Sequence, residues 1–335
     1  MEIKAYENDI FYDNMGMRLW ERRHQHLDKY IENERTLDIG CNDAKFIQRL
    51  AHSLDFNLIV GLDIDLEVLK KASDNLVYDQ IQDCLKSNRK IECWIKLFHG
   101  DALKKYDKLK QMNFEVITLI EVVEHLQMEQ LDDICENVFG YLNPNRIIIT
   151  TPNSDFNVYF KQLNPQFVLR HPDHKFEFSQ QEFQQWTQAI ALKYNYSTIY
   201  EGVGQHKSGE ITNGYASQIC IFTKIKDYQH NFKADQDDLQ LILEHCLPYD
   251  NRTDEQKLID DIMMNYSRFS LWNQNDLDDY EYDLLSTIDE NDILIRIQDL
   301  PRSQQYFEQI IQKYNNRFSI YQNDYLLLKF QVQTD

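Results

Sequence analysis

The chain has 335 residues, of which 42% are apolar and 13% aromatic, and its formal net charge is −20. This composition can fill a sizeable core, which excludes a peptide-sized scaffold and a wholly disordered chain. The excess of acidic residues opposes broad, non-specific attraction to a phosphate backbone, so any contact with nucleic acid must be local. No apolar run is long enough to span a membrane, and no signal pattern is visible, so we expect a soluble, intracellular protein.

The predicted elements indicate an α/β fold. An N-terminal helical segment, residues 1–30, precedes a domain over residues 31–225 in which short apolar stretches alternate with amphipathic ones. This alternation is typical of a mostly parallel sheet with helices on both faces. The predicted strands and helices are, in chain order, strand Thr36–Ile39, helix Asp43–Leu54, strand Leu58–Asp63, helix Asp65–Tyr78, strands Ile91–Phe98 and Phe114–Ile120, helix Met128–Leu142, strand Arg146–Thr151, helix Gln180–Tyr194, and strands Ser197–Gly202 and Ala216–Phe222.

The last two predicted strands set the topology. They have no helix between them, so we expect them to pair as an antiparallel hairpin at the edge of the sheet. The predicted fold is therefore a doubly wound, Rossmann-like, mostly parallel sheet of seven strands whose last strand is reversed.

Residues 226–335 are predicted to form a separate, acidic appendage. They include 22 acidic and 10 basic residues, a net charge of −12 against −8 for the residues before them. Amphipathic stretches around Leu239–Leu247 and Tyr306–Tyr314 indicate a partly helical region, and Leu326–Val332 is interpreted as a further strand or buried segment. The sequence does not assign a role to this region.

The loops after the first three predicted strands carry the residues expected to bind a nucleoside cofactor. Ligands of doubly wound sheets lie beyond the carboxyl ends of the strands. Gly40 permits a tight turn after the first strand, and Asp63, after the second, can accept hydrogen bonds from ribose hydroxyls. Asp101 and Ala102, after the third, can receive an adenine amino group and approach the ring edge. The loops are similar to those of S-adenosylmethionine-dependent methyltransferases. A dehydrogenase is disfavoured because Asn42 stands where a second glycine is expected.

The residues after the fourth strand suggest a metal site. If a helical turn begins at Glu121, then Glu121, Glu124 and His125 lie on one face and converge. Two carboxylates and an imidazole are suitable ligands for Mg²⁺, Mn²⁺ or Zn²⁺. The alternative is that these residues order the turn or help to hold the cofactor, because many metal-free small-molecule methyltransferases carry a similar pattern.

A second segment, His171–Phe178, favours the metal interpretation. Together with Glu121–His125, Thr151–Asn153 and the glycine-containing blocks Gly202–Gly204 and Gly214–Ile219, it closely resembles the eukaryotic small-RNA 3′-terminal 2′-O-methyltransferases, the Hua-enhancer family. His174 matches the family pattern because it directly precedes Lys-Phe-Glu, whereas His171 is outside that pattern. Asn42 departs from the family, which more often has glycine there.

The resemblance implies a complete set of site residues and partners. One divalent cation, Mg²⁺ or Mn²⁺, would be held by Glu121, Glu124, His125 and His174, and His125 or His174 would assist proton removal. S-adenosylmethionine would be bound by Asp38, Gly40, Ala44, Asp63, Asp101 and Ala102. The expected reaction is methylation of the 2′-hydroxyl at the single-stranded 3′ end of small RNAs such as siRNA, miRNA or piRNA, with an Argonaute or Piwi protein presenting the end. We expect a monomer in the cytoplasm or nucleus.

Two other classes of function stay open from the sequence. One is a metal-independent O-methyltransferase of a small hydroxylated metabolite, and the other is a non-catalytic interaction protein that uses the acidic region. The arginines of the predicted N-terminal helix, Arg18, Arg22 and Arg23, are candidates to contact terminal phosphates, or they form a solvated helix face.

Overall fold

The computed structural model describes residues 10–11, 17–31, 35–52, 56–83, 91–164, 166–228, 232–235, 238–247, 252, 292–296, 318–322 and 326–331. The chain divides into two compact units, Met1–Asp250 and Asn251–Asp335. No helix among these described ranges is both long and apolar enough to cross a membrane.

The first unit is built on one eight-stranded sheet. Its strands are β1 (Thr36–Ile39), β2 (Leu58–Asp63), β3 (Cys93–His99), β4 (Val116–Ile120), β5 (Arg146–Pro152), β6 (Tyr196–Val203), β7 (Ser217–Lys224) and β8 (Gln240–Leu247). Their order in the sheet is β6-β7-β5-β4-β1-β2-β3-β8. Strands β1 to β5 pair in parallel, whereas β7 is antiparallel to both β5 and β6. The predicted doubly wound sheet, its edge hairpin and its reversed last strand are confirmed.

Helices cover both faces of this sheet. They are α1 (Leu19–Leu27), α2 (Lys45–Ala51), α3 (Leu66–Asp83), α4 (Asp107–Lys110), α5 (Leu131–Cys135), α6 (Asn157–Leu163) and α7 (Gln180–Tyr194). Leu27, Ile47 and Leu69 pack in one apolar cluster, on the face covered by α1, α2 and α3. Ile134 and Phe183, from α5 and α7, pack in the cluster on the other face. The predicted single helix Met128–Leu142 is a 3₁₀ turn, α5 and a π-helical segment in succession.

Strand β8 is an addition that the sequence interpretation did not contain. It pairs antiparallel with β3, from Cys93 opposite Leu247 to His99 opposite Gln240. The stretch Leu239–Leu247, expected in a partly helical region, is therefore extended, because the open edge of β3 offers it backbone hydrogen-bonding groups. The first unit ends at Asp250, later than the boundary predicted at residue 225, and the predicted seven-stranded sheet has an eighth strand.

The second unit contains an antiparallel sheet of three strands among its described residues. They are β9 (Asp292–Arg296), β10 (Phe318–Gln322) and β11 (Leu326–Gln331), in the order β10-β11-β9. Strand β11 confirms the strand expected over most of Leu326–Val332. The amphipathic stretch Tyr306–Tyr314 lies outside the described residues.

Candidate active site

The turn after β1 requires glycine at its first position. Gly40 has a φ of +72°, and a Cβ atom there would lie 2.6 Å from Val122 Cγ2. The backbone conformation and the close approach therefore both exclude a larger residue. Asn42 and Ala44 also have positive φ values, 48° and 59°. Asn42 fits this turn because asparagine adopts the left-handed conformation more readily than most residues.

Asp63, Asp101 and Ala102 lie at the carboxyl ends of β2 and β3, on the same edge of the sheet as the Gly40 turn. The Asp63 carboxylate accepts hydrogen bonds from the backbone N–H groups of Asn42, at 2.8 Å, and Asp65, at 2.9 Å. Asp101 Oδ1 accepts one from Leu103 N, at 2.9 Å. Backbone groups therefore orient both carboxylates, and for Asp63 one of these groups comes from the turn after β1. Both side chains remain partly accessible.

Asp38 is placed differently from the other predicted cofactor residues. It lies within β1, is 3% exposed, and accepts a hydrogen bond of 2.6 Å from Thr118 Oγ1. Burial raises the pKa of Asp38 to about 7, and the neighbouring charge of Asp63 acts in the same direction. Asp38 is thus a group inside the sheet, next to the turn, and not a loop residue.

The turn after β4 does not begin where the sequence interpretation placed it. Glu121 has a left-handed backbone, with a φ of +55°, and its N–H donates to the carbonyl of Thr150 at 3.0 Å. The helical turn is a 3₁₀ turn over Val123–His125. Glu121 therefore precedes the turn, so the helical i, i+3, i+4 spacing does not determine where its side chain points.

The loop that carries His174 is docked onto this 3₁₀ turn. Lys175 N donates to the carbonyl of Glu124 at 2.8 Å, which joins two segments that are about fifty residues apart in the sequence. The rings of His125 and His174 lie nearly perpendicular, with centroids 4.9 Å apart. His171 lies close by, with its ring centroid 6.1 Å from that of His125.

Glu124, His125 and His174 form a compact group of potential metal ligands. One ligand atom from each lies within 4.8 Å of the other two. The Glu124 side chain is buried, and its Oε2 accepts a hydrogen bond from Thr151 Oγ1 at 3.0 Å. Its Oε1 is buried without a hydrogen-bond partner among the described residues. Burial, and then the charge of Glu121, raise the pKa of Glu124 well above its usual value.

The structure places the Glu121 carboxylate beside this group but outside it. Glu121 Oε2 forms an ion pair of 3.1 Å with Arg23 Nη1. Its Oε1 accepts hydrogen bonds from Ser217 Oγ, at 2.8 Å, and Thr150 Oγ1, at 2.9 Å. Of the four predicted metal ligands, the structure thus brings three together, and the fourth is held by α1, β5 and β7.

The second ring nitrogen of His174 has its own carboxylate partner. His174 Nδ1 lies 2.7 Å from Oε1 of Glu177, whose side chain is fully buried. Glu177 also accepts hydrogen bonds from Asn157 Nδ2, at 2.5 Å, and from Arg170 N, at 2.7 Å. Burial acts to raise the pKa of Glu177, but the hydrogen bonds and the positive charge of Arg170 outweigh it and lower that pKa. Glu177 therefore stays ionised and leaves Nε2 of His174 for another ligand.

The residues present fit a divalent cation. A buried carboxylate oxygen without a partner is costly, and a cation removes that cost. Ligands about 2.1 Å from one ion lie up to about 4.2 Å from each other, so the spacing of Glu124, His125 and His174 requires only small side-chain adjustments. The carboxylate of this set suits Mg²⁺ and Mn²⁺, and its two imidazoles also suit Zn²⁺.

Several residues of the site were not assigned by the sequence interpretation. Of the arginines considered for phosphate contacts, Arg23 is buried against Glu121, and the partly buried Arg22 donates from Nε to the Met17 carbonyl at 3.0 Å. Glu177 and Ser217 lie in the matched blocks, which was the one signal that pointed to them. The pairing of Arg23 with Glu121 had no sequence signal.

The fold and the geometry of the site define an S-adenosylmethionine-dependent methyltransferase. A family model described as a methyltransferase domain matches residues 13–195. The structure is similar to a crystal structure of the small RNA methyltransferase HEN1, with a TM-score of 0.57 and 25% identity over 70% of this chain and 29% of that one. It is also similar to the methyltransferase domain of the bacterial protein CtHen1, with a TM-score of 0.50 and 26% identity over 62% of this chain and 100% of that one.

Sequence relatives narrow this class. A small RNA 2′-O-methyltransferase of Tetrahymena thermophila is 36% identical over 298 residues, which cover 85% of this chain and 70% of the relative. A mouse protein with the same description is also 36% identical, over 62% of this chain and 51% of the relative. The chain thus belongs to the small RNA 2′-O-methyltransferase family, although it spans only about half the length of the mouse protein.

Proposed function

We propose that the chain transfers a methyl group from S-adenosylmethionine to the 2′-hydroxyl of the 3′-terminal nucleotide of small RNAs. Membership of the small RNA 2′-O-methyltransferase family supports the reaction class and the substrate. The choice of the 3′-terminal nucleotide is supported by the cluster of Glu124, His125 and His174, which lies beside the proposed cofactor edge of the sheet. A site for one cation next to a methyl donor suits a substrate that offers two adjacent hydroxyls, as an RNA 3′ end does.

Glu124, His125 and His174 would hold one Mg²⁺ or Mn²⁺ ion, with Glu121 as the fourth ligand. When bound, the cation supplies positive charge that lowers the pKa of a ribose hydroxyl and fixes its position. The unpartnered oxygen of Glu124 supports this assignment. To act as the fourth ligand, Glu121 must bind the cation through one of its oxygens while it also pairs with Arg23.

We propose different roles for His125 and His174 in the reaction. His174 is fixed by Glu177 through Nδ1, so its Nε2 points consistently in one direction. His125 is the more exposed of the two and has no such carboxylate anchor on its ring in the contacts described above. We assign acceptance of the 2′-hydroxyl proton to His125 in a state in which its ring is not bound to the cation, because a cation-bound neutral imidazole carries hydrogen on its other nitrogen. His174 would remain a cation ligand whose ring is oriented by Glu177.

The cofactor would lie across the turn after β1 and the loops after β2 and β3. Gly40 and Ala44 shape the turn so that backbone can approach the methionine part, and Asp38 supports it from within the sheet. Asp63 would accept hydrogen bonds from the ribose hydroxyls, and Asp101 with Ala102 would bind the adenine. The turn after β1 and the end of β2 are joined by the hydrogen bond from Asn42 N to Asp63, and the loop after β3 is oriented by the one from Leu103 N to Asp101.

The RNA would be presented as a single strand. With a net charge of −20, the chain is poorly suited to attract RNA by itself, which favours a protein partner that presents the end. An Argonaute or Piwi protein fits this role, with the enzyme acting as a monomer in the cytoplasm or nucleus. The alternatives, a metabolite methyltransferase and an interaction protein, lack a comparable observation in their favour.

The test uses the purified chain, S-adenosylmethionine, Mn²⁺ and a short single-stranded RNA, with mass spectrometry of the RNA termini. We expect one methyl group at the terminal 2′ position. The product should be lost when the last nucleotide is a 2′-deoxynucleotide, when its 3′-hydroxyl is absent, and when EDTA is added. Methylation that persists on the 2′-deoxy substrate or in EDTA would reject the proposal.

A further inference from the structure

The segment just before β8 lies against the loop that follows β3. This loop, residues 100–106, contains Asp101 and Ala102. Asp235 N donates to the carbonyl of Lys105 at 2.8 Å, and Lys105 N donates to Asp235 Oδ2 at 2.8 Å. This reciprocal pair fastens the end of the loop to residues that lie beyond the domain boundary predicted from the sequence.

A tyrosine hydroxyl connects Asp101 directly to the same segment. The N–H of Asp101 donates to Tyr106 Oη at 3.1 Å, and Tyr106 Oη donates to Asp238 Oδ1 at 3.1 Å. The Tyr106 side chain is buried, at 1% exposure, so its hydroxyl needs both partners. The backbone position of Asp101 is thus linked to Asp238 through one hydroxyl.

Leu239 packs against the first residue of the loop. A Cβ atom added at Gly100 would lie 2.8 Å from Leu239 Cδ1 and 3.1 Å from Tyr106 Oη. Gly100 therefore fits closely between Tyr106 and Leu239. The backbone pairing of β8 with β3 continues from His99 opposite Gln240, directly after Leu239, and fixes the position of this side chain.

A different part of the chain supports the far side of the loop. Asn137 Nδ2 donates to the carbonyls of Ala102 and Lys104, both at 2.8 Å. The loop is consequently held from two sides, by Asn137 on one side and by Asp235, Asp238 and Leu239 on the other.

We propose that Asp235, Asp238 and Leu239, which we call the β8 clamp, are positioning residues for the adenosine end of S-adenosylmethionine. Asp238 acts through Tyr106 on the backbone of Asp101, whereas Asp235 holds Lys105 and Leu239 packs against Gly100 at the two ends of the loop. The inference rests on the proposed adenine-binding role of Asp101 and Ala102. The acidic region beyond residue 225 is thereby part of the cofactor site. Because the loop is preorganised, removal of the clamp weakens cofactor binding and leaves the chemical step intact.

The experiment measures S-adenosylmethionine affinity by calorimetry, together with KM and kcat, for the full chain, four single variants and the double variant Tyr106→Phe/Asp238→Ala. Tyr106→Phe and Asp238→Ala break the hydroxyl link, and Asp101→Ala tests the loop itself. Glu244→Ala is the matched control, because Glu244 pairs with Lys96 between the same two strands but away from the loop. Thermal unfolding of each variant is recorded to separate loss of affinity from loss of fold.

We expect Tyr106→Phe and Asp238→Ala to raise Kd and KM for S-adenosylmethionine by about three- to tenfold with kcat nearly unchanged. The double variant should lose less than the sum of the two, because both remove the same link. Glu244→Ala should stay within about twofold of wild type. If both link variants bind the cofactor as well as Glu244→Ala while Asp101→Ala loses binding, the clamp is wrong. If Asp101→Ala itself binds normally, the proposed adenine site is wrong instead.

Discussion

The candidate active site has two parts, which differ in how many of their polar groups have hydrogen-bond partners within the chain. We call the ends of β1, β2 and β3 the cofactor half, and the ends of β4 and β5 with the His174 loop the histidine half. At the ends of β1, β2 and β3, the predicted cofactor residues have partners within the chain: Asp63 is bound by two backbone N–H groups and Asp101 by one. At the ends of β4 and β5, Glu124 keeps a buried oxygen without a partner among the described residues. The carboxylates at the ends of β2 and β3 thus have partners in the chain, whereas Glu124 Oε1 has none among the described residues.

This difference fits the different roles proposed for the two halves. A buried polar atom without a hydrogen bond costs about 1–3 kcal/mol, and more when the group is charged. Such a cost persists in a folded protein when a ligand removes it or when function requires it. The difference supports the proposal that the ends of β1, β2 and β3 recognise a ligand by shape and hydrogen bonding and that Glu124, His125 and His174 hold a cation.

The largest expected effect is on methyl transfer when one imidazole of the histidine half is removed. His174→Ala should reduce methyl transfer by about 100-fold or more, because the cation loses a ligand and the hydroxyl loses its activation. Affinity for S-adenosylmethionine should stay within about twofold of wild type, since His174 contacts none of the predicted cofactor residues. Single-turnover methylation of a short RNA and calorimetry with S-adenosylmethionine measure the two quantities.

His171→Ala is the matched control for this variant. The His171 ring lies 5.7 Å from that of His174 but is outside the group of three ligands. Its removal should change the rate less than about threefold. Equal losses in the two variants would show that the loop needs its histidines for folding and not for a cation.

The next effect concerns the partner of His174. Glu177→Gln removes the charge that orients the imidazole while it keeps the size of the side chain, so Mn²⁺ affinity should fall by about 10- to 100-fold. Calorimetry with Mn²⁺ gives this value. Stability should also decrease, because the buried Arg170 loses a nearby negative charge, so S-adenosylmethionine affinity serves as the control for an intact fold. Wild-type Mn²⁺ affinity in this variant would contradict the orienting role.

The cofactor half is tested at its first turn. Gly40→Ala should lower the free energy of unfolding by roughly 2 kcal/mol and weaken S-adenosylmethionine binding, because the left-handed backbone and the contact with Val122 both oppose a Cβ atom. Gly209→Ala is the control, since Gly209 has a φ of +78° with no described atom within 4 Å of the added Cβ. Denaturant unfolding should show a larger loss of stability for Gly40→Ala than for Gly209→Ala. Equal losses would show that the contact with Val122 contributes nothing to the effect.

The smallest effect lies in neither half, at the contact between α1 and β6. Burial acts to raise the pKa of Glu201, but hydrogen bonds from Lys29, Tyr30 and His26 outweigh it and lower that pKa to about 2. A lowered carboxylate pKa stabilises the fold above the unfolded value of about 4.3, and this contribution is lost as pH falls from there towards 2.

Glu201→Gln should therefore lower the melting temperature slightly at pH 7, by the equivalent of a few tenths of a kcal/mol for a largely solvated pair. The difference from wild type should shrink as pH falls below about 4, and methylation at pH 7 should be unchanged. Glu210→Gln, which alters an exposed glutamate on the β6–β7 connection, is the control. If the difference in melting temperature between wild type and Glu201→Gln grew towards low pH, it would contradict the stabilising role of the ionised Glu201 carboxylate.

Much of the cofactor half could be predicted from the sequence, because it depends on local rules. Strand ends, a glycine turn and acids at fixed offsets follow the chain, and β1 and β2 have the predicted bounds. The direction of Glu121 could not be predicted, since its left-handed backbone replaces the assumed helical turn. The pairing of Arg23 with Glu121 and of β8 with β3 joins distant segments, and no local pattern encodes either contact.

The most direct test of the central claim is Mn²⁺ binding to the purified full chain, followed by electron paramagnetic resonance in the presence and absence of S-adenosylmethionine. The account predicts one Mn²⁺ per chain in wild type, a loss of that site in Glu124→Gln and in His174→Ala, and retention in His171→Ala. Undiminished Mn²⁺ binding in both Glu124→Gln and His174→Ala, with the fold intact by thermal unfolding, would contradict the assignment of the cation to these residues.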